Sequence, residues 1–439
     1  MASVAILFAV LSPGLAAAQT ASGSAADALF QEVLQRPDDV DLSLRYAEAA
    51  AAEGNYEAAV ATMERLLLID GSLSVAKVRL GLLYLAMQSP LTASRYLEDA
   101  LADPTLPDQQ VEIAQRALDQ AREGTSRHEW SGSLYFGLRW QTNANSGPDE
   151  DAIRDASAPG GTLATPASVA GRDDGNGFVL GSVRHQFDLQ AQRFAVIDTR
   201  AVVYGTRYIE RGELDSEAIR ASTGPRFAPL PDSAPGLTVR PFVWTEYVRL
   251  DGSSYRTSFG GGIDGQWTVD PRLLLDWSLL VRYNDFAVTG RRPLANERDG
   301  LSFEGQVDGY YALTGSQVIS TGAALARNSA EKDFNSYTRG TLAFTYSYRF
   351  EPPFEFVVAP WRLSVSAEGS VTGYDAPDPV IDPASTRHDL VGTVHVTQEI
   401  GLADDFALVL EAGYERAYSN IPNYDYDNVS GTVGIRYRF

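Results

Sequence analysis

The chain has no cysteine. Disulfides, thiol nucleophiles, cysteine-bound metals and lipid anchors attached through cysteine are therefore excluded. It has four histidines, and none belongs to an H-E-x-x-H motif. No G-x-S-x-G and no phosphate-binding P-loop occurs either. Basic residues are scarce: 36 against 57 acidic ones, for a net charge of −21. A nucleic-acid binder needs a basic patch to neutralise phosphates, so that class is set aside. Beyond the N-terminal segment no stretch is apolar enough to span a bilayer as a helix.

What is present divides into three parts. The start, "VAILFAVLSPGLAAAQ", is an apolar run, a helix breaker and small residues. Ala16 and Ala18 stand where an A-x-A cleavage site places them, so residues 1–18 read as a signal peptide and 19–24 as a linker. No Lys or Arg precedes the run.

Residues 25–123 carry a helical period. Two segments align at an offset of about 34, which pairs Ala59 with Ala93, Met63 with Leu97, Glu64 with Glu98 and Leu67 with Leu101. Leu80, Gly81 and Tyr84 give the L-G-x-x-Y pattern of a first helix; Gly54-Asn55-Tyr56 makes a turn and Pro104 a stop. This resembles the tetratricopeptide repeat family, with flanking helices near 25–36 and 107–122 as caps. Leu44, Glu48, Val78, Leu82 and Leu85 are then expected to face a concave groove for a partner. The alternative is a scaffold whose apolar face packs on a neighbouring domain.

From residue 129 to 439 the period changes to two. In "EWSGSLYFGLRW", Trp130, Leu134, Phe136, Leu138 and Trp140 share one face, and Ser131, Ser133, Tyr135 and Arg139 the other. The same alternation recurs in "RLLLDWSLLVRY", "YTRGTLAFTYSYRF", "WRLSVSAEGSV" and "DFALVLEAGYE". The runs are long, their apolar faces end in aromatics, and the chain holds 21 tyrosines and 18 phenylalanines. Connections alternate between short ("VDPR", "TGS", "LADD") and long ("NDFAVTGRRPLANERDG", "TGYDAPDPVIDPASTR"). The connection at 351–359 is longer than this rule expects of a short turn, and those near Arg211 and Asp251 are shorter than it expects of a long one. Together these features predict an antiparallel transmembrane β-barrel of about fourteen strands behind a short helical repeat domain. The strands "DSEAIRASTGPRF" and "QVISTGAALAR" are the poorest in pattern.

The inferred inner faces carry Asp276, Arg282, Glu304, Asp308, Arg339, Arg349, Arg362, Glu368, Glu399, Glu411, Glu415, Arg436 and Arg438. Both signs occur, so neither a simple anion nor a simple cation filter is indicated. Two readings remain: a wall knitted by ion pairs, or a lining for polar cargo. No catalytic set is read. His388 and His395 fall on opposite faces of one strand, and "GRDDGNG" lacks the spacing and closing Glu of a calcium loop, so no metal or cofactor is assigned.

The chain ends in Val433, Ile435, Tyr437 and Phe439 on alternate positions. This resembles the C-terminal signature of bacterial outer-membrane barrels, which implies recognition by the barrel-assembly machinery. The signal, the repeats, the barrel and the stretch "GSLYFGLRWQTNANSG" together resemble the surface lipoprotein assembly modulator family. That resemblance implies an outer-membrane translocon, not an enzyme. Its partners would be a lipoprotein or related secreted client and a periplasmic chaperone. The helical part would sit in the periplasm of a Gram-negative cell. The helical part is short for that family. The competing classes are a polysaccharide exporter, which also joins such repeats to a barrel, and a porin-like channel or barrel enzyme.

Overall fold

A computed structural model describes residues 25–36, 39–191, 193–352 and 359–439. The expected signal peptide and linker, and most of the connection at 351–359, lie outside the described residues. The chain separates into two compact units, Met1–Arg127 and His128–Phe439.

The first unit contains six helices among the described residues: α1 Ala25–Gln35, α2 Val40–Ala52, α3 Tyr56–Ile69, α4 Ser74–Ala86, α5 Pro90–Leu101 and α6 Asp108–Thr125. Local chemistry marks their starts. The Asp39 carboxylate accepts from Leu42 N at 3.0 Å, and Asn55 Oδ1 accepts from Ala58 N at 3.2 Å. Pro90 opens α5, where its missing N–H costs nothing. The positions paired by the repeat, Ala59 with Ala93 and Met63 with Leu97, are all fully buried. Gly81 lets α4 and α5 touch: a Cβ there would lie 2.4 Å from Leu97 Cγ. Each buried Leu or Met contributes about 1.5–3 kcal/mol.

The second unit begins with β1 His128–Gln141. A hairpin, β2 Ala152–Arg154 and β3 Thr162–Ala164, follows in the first long connection. Then come β4 Asp174–Asp188, β5 Ala195–Tyr208, β6 Ser216–Phe227, β7 Leu237–Leu250, β8 Ser253–Asp270, β9 Leu273–Phe286 and β10 Gly300–Ala312. The last are β11 Gln317–Ala330, β12 Tyr337–Phe350, β13 Trp361–Tyr374, β14 His388–Gly401, β15 Phe406–Ser419 and β16 Tyr426–Arg438. Apart from the β2–β3 hairpin these form one closed antiparallel barrel of fourteen strands, each paired with its chain neighbour and β16 with β1. At the seam Gly132 N donates to Phe439 O at 2.9 Å, and Phe439 N to Gly132 O at 3.1 Å. The final residue thus completes the ring and no edge is left.

The apolar face points outward. Leu138 is 66 % exposed and Leu342 69 %, with Phe136, Val243, Phe259, Phe303 and Val371 similarly bare. So wide an apolar belt is unstable in water and is the surface of a membrane-spanning barrel. Trp130 and Trp140 stand on this face near the two ends of β1.

Both poorly patterned segments are strands, β6 and β11. In β6 the reason is visible. Pro225 has no donor, and a Cβ on Gly224 would strike Pro241 O at 1.9 Å, so the β6–β7 ladder is interrupted between Thr223 and Phe227. The short connection at Asp251 is a two-residue Asp-Gly turn with φ of 55° and 69°. Those positive angles match the hairpin twist.

Candidate functional site

Of the charged side chains assigned to the inner face, Glu304, Asp308 and Arg436 sit next to the exposed Phe303, Val307 and Ile435. Arg282 donates to Glu304 at 3.2 Å. Glu399 accepts from Arg438 at 2.8 Å and from Arg436, with Arg362 at 3.8 Å. Glu411 accepts from Thr397 at 3.2 Å and faces His395; Glu415 accepts from Tyr426 Oη at 2.8 Å. Asp276 and Asp308 sit opposite each other in the β9–β10 register. Arg339 donates to Thr372 at 2.9 Å and Arg349 to the Gly315 carbonyl at 3.3 Å, and Glu368 is exposed.

The most elaborate cluster contains none of these residues. On β4 to β8, Asp198 is 0 % exposed and accepts from Arg184 at 2.8 Å, Arg200 at 3.0 Å and Arg226 at 2.9 Å. Arg226 also reaches Asp264, which accepts from Arg240 at 2.6 and 2.8 Å. Arg240 donates to the Asp198 carbonyl at 3.1 Å as well. Four guanidinium groups share two carboxylates, so the cluster carries excess positive charge. The planar fork of arginine allows this bridging; a lysine ammonium would not span it. Lys77 and Lys332 are the chain's two lysines, so nearly all its cations are arginines. Nearer the long loops, Glu246 accepts from Arg220 at 2.6 Å and from Arg256. Arg220 and Arg282 flank the buried Trp244 ring at 5.7 and 5.3 Å. In the sequence Asp198 and Arg200 share one face of β5, but nothing there marks their partners on β4 and on β6 to β8.

The wall over β11–β13 is different. Its inner face presents Ser320, Gly322, Ala324, Thr341, Ala343, Thr345, Ser364 and Ser366, with the register placing them side by side. Small side chains line this arc. Among the described residues neither Arg339 nor Arg349 has a carboxylate at ion-pair distance. The lumen wall is therefore lopsided: an ion-paired arc on β4 to β8 and a hydroxyl-lined arc with unpaired charge on β11 to β13.

The long connections stack along one rim. The Arg154 amide donates to Asn423 Oδ1 at 2.7 Å, and Asn423 Nδ2 donates back to the Arg154 carbonyl at 2.9 Å. Ala156 N donates to the Val380 carbonyl at 3.0 Å, and Arg154 pairs with Asp382 at 3.7 Å. In "GRDDGNG" the Asp174 carboxylate accepts from Gly175 N and Arg211 N at 2.7 and 2.9 Å, so it ties two connections together.

In the helical unit the expected groove needs correction. Val78 is 0 % exposed and packs with Ala93, Leu97, Ala114 and Leu118; Leu82 and Leu85 lie against the same cluster. Helix α6 covers the α4 face that was assigned to a groove. Leu44 packs on the neighbouring core formed by α1 to α4. Glu48 is the exposed member and pairs with Arg79 at 2.9 Å. Tyr84, from the repeat signature, donates to Glu64 at 2.8 Å and stacks on Tyr96. Burial, with Glu64 as acceptor, pushes its phenol up to about 12. Val433, Ile435, Tyr437 and Phe439 all stand on the outer face beside the seam, with Tyr437 4.7 Å from the Phe406 ring.

A tetratricopeptide repeat family matches residues 22–80, and a family described as a protein of unknown function (DUF2860) matches residues 292–438. The second match starts just before β10 and takes in the last seven strands of the barrel. No curated protein matches the chain in sequence. Among solved structures, a bacterial polysaccharide outer membrane secretin aligns at 12% identity and TM-score 0.34, over 70% of this chain and 98% of its own. The outer membrane channel DcaP of Acinetobacter baumannii aligns at 10% and 0.39, over 71% and 97%. An anion-selective porin from Comamonas acidovorans aligns at 11% and 0.34, over 71% and 99%.

Proposed function

We propose that this protein is an export conduit of the Gram-negative outer membrane, with its helical unit in the periplasm. In this reading it passes a protein client, a surface lipoprotein or related secreted protein, as the surface lipoprotein assembly modulator family does. The observation that carries it is the lopsided lumen. The ion-paired arc on β4 to β8 is a fixed wall. The arc of Ser, Thr, Ala and Gly on β11 to β13 is a wet track along which an extended polar chain exchanges hydrogen bonds with hydroxyls at little net cost. Arg339, Arg349 and Glu368 give that track weak charged holds. The tetratricopeptide unit and a periplasmic chaperone would present the client, and the barrel-assembly machinery would read the terminal aromatics.

A second reading, polysaccharide export, is favoured by the same hydroxyl track, which suits sugar hydroxyls equally. Gene deletion separates the two. Surface proteins would be compared by protease shaving and mass spectrometry, together with exported polysaccharide. Loss of one or a few surface proteins, with periplasmic retention, supports the client reading. An unchanged protein profile with reduced polysaccharide transfers the function to the second reading.

A further inference from the structure

Beneath the long connections lies a cavity of about 470 Å³, bounded by β8 to β13 and the connections at 331–336, 375–387 and 420–425. That volume is in the range of small-ligand sites. Its lining holds five arginines: Arg256, Arg282, Arg298, Arg339 and Arg387. Three of them have partners, Glu246, Glu304 and Asp389. The other two do not. Arg298 donates to Tyr255 Oη at 3.2 Å and Arg339 to Thr372 at 2.9 Å, and among the described residues neither meets a carboxylate. Of the two acids in the lining one is ion-paired, and the other, Asp378, keeps its charge against the two arginines. Asp378 caps Val380 N at 2.9 Å, and Asp382 pairs with Arg154. The Nε atoms of Arg256 and Arg282 are also buried without an acceptor. The open charge of the cavity is therefore cationic, with donors to spare.

The rest of the lining is aromatic and amide. Phe286, Phe334, Tyr337, Tyr374 and Tyr424 supply ring surface, and Asn284, Ser302 and Asn328 form a hydrogen-bonded ladder with each step at 2.8 Å. The Arg387 guanidinium stands over the Tyr424 ring at 3.2 Å from its centroid and over Tyr374 at 4.8 Å, which joins the two rings of this wall. Guanidinium groups bind an anion through paired N–H donors. Ring faces cover flat apolar surface, and amides and hydroxyls read polar substituents. A simple inorganic anion would use the arginines and leave the rings idle. A neutral sugar would leave Arg298 and Arg339 unmatched.

From this combination we infer that the cavity is a binding site for an acidic sugar unit, a hexose ring carrying a carboxylate. The carboxylate lies between Arg298 and Arg339, and the ring lies against Phe334 and Tyr337. The site stands whichever polymer the barrel passes. The test uses the purified full chain in detergent micelles and isothermal titration calorimetry with three probes: a disaccharide of two glucuronates, cellobiose and inorganic phosphate. The acidic disaccharide is expected to bind at least tenfold tighter than either of the others. The double variant R298Q/R339Q should weaken it at least tenfold, and Phe334→Ala severalfold, with heat-modified gel migration unchanged for both. Equal binding of cellobiose, or no response to the arginine changes, overturns the site. Phosphate binding as tightly as the acidic disaccharide overturns the sugar assignment, and so does absence of binding.

Discussion

In the helical unit, Met63, Leu80 and Leu97 are shut away, while the ion pairs Arg79–Glu48 and Arg122–Glu98 lie outside. In the barrel, Leu138 and Leu342 stand bare, while Asp198, Arg226 and Arg240 are shut away. The two units share a chain and a set of side chains, and differ in the solvent they meet. Where water surrounds the fold, apolar side chains cluster and small residues such as Gly81 set the spacing. Where lipid surrounds it, the apolar groups gain nothing by turning inward, and the interior must be held by directed interactions. The contrast predicts that each unit breaks through a different kind of substitution.

The largest effect is expected from Asp198→Ala. It leaves Arg184, Arg200 and Arg226 without their shared acceptor, and breaking a buried pair of this kind costs about 3–5 kcal/mol. Urea titration of the folded barrel, followed by tryptophan fluorescence, measures it. A loss below about 1 kcal/mol would show that water substitutes freely for the carboxylate, and the contrast would fail. Next is Gly81→Val in the helical unit. Its Cβ would lie 2.4 Å from Leu97 Cγ, and overpacking of this kind costs about 1–3 kcal/mol. In the full chain, circular dichroism should show the helical signal melting earlier with the sheet signal unmoved. A common shift of both would tie the two units into one cooperative block.

Removal of Phe439 tests the seam. Two backbone hydrogen bonds to Gly132 are lost, at about 1 kcal/mol each, together with an aromatic of the outer belt. The fraction of heat-modifiable barrel in outer-membrane preparations should fall severalfold. The smallest effect is a pH slope. The Tyr84 phenol is raised from 10.0 to about 12, so its contribution is fully present below pH 10.0 and is lost as pH climbs towards 12. Tyr84→Phe should flatten the alkaline loss of helical signal across that window and leave the barrel's response unchanged. An identical slope in the variant assigns the loss to other groups.

The barrel was largely legible in the sequence because period-two alternation is a local property. Val433, Ile435, Tyr437 and Phe439 declare their face without reference to any partner. Even the fourteen-strand count could be read, since all strands but β6 and β11 carry a clear pattern of their own. The arginine cluster was not legible. Arg226 contacts Asp264 across an intervening strand, 38 residues away in sequence, and such diagonal reach depends on stagger around the barrel. The groove was misread for a related reason. Val78 looks like a surface position of α4 until α6 is laid over it, and nothing within the two repeats specifies where the capping helix goes. The mouth cavity was equally hidden, because its arginines and rings come from strands and loops that meet only after closure.

That closure has a kinetic side. Ser133 pairs with Arg438, so the seam joins two strands separated by nearly the whole unit. Bringing such distant ends together costs about 5 kcal/mol in chain entropy for a loop of roughly 300 residues. It is also the pairing that joins the strands farthest apart in the chain. Until then β1 carries an unpaired edge in a partly built sheet, the state most open to mispairing between copies. The hairpins between neighbouring strands form locally and quickly, so the rate at which this barrel matures should be set by its seam.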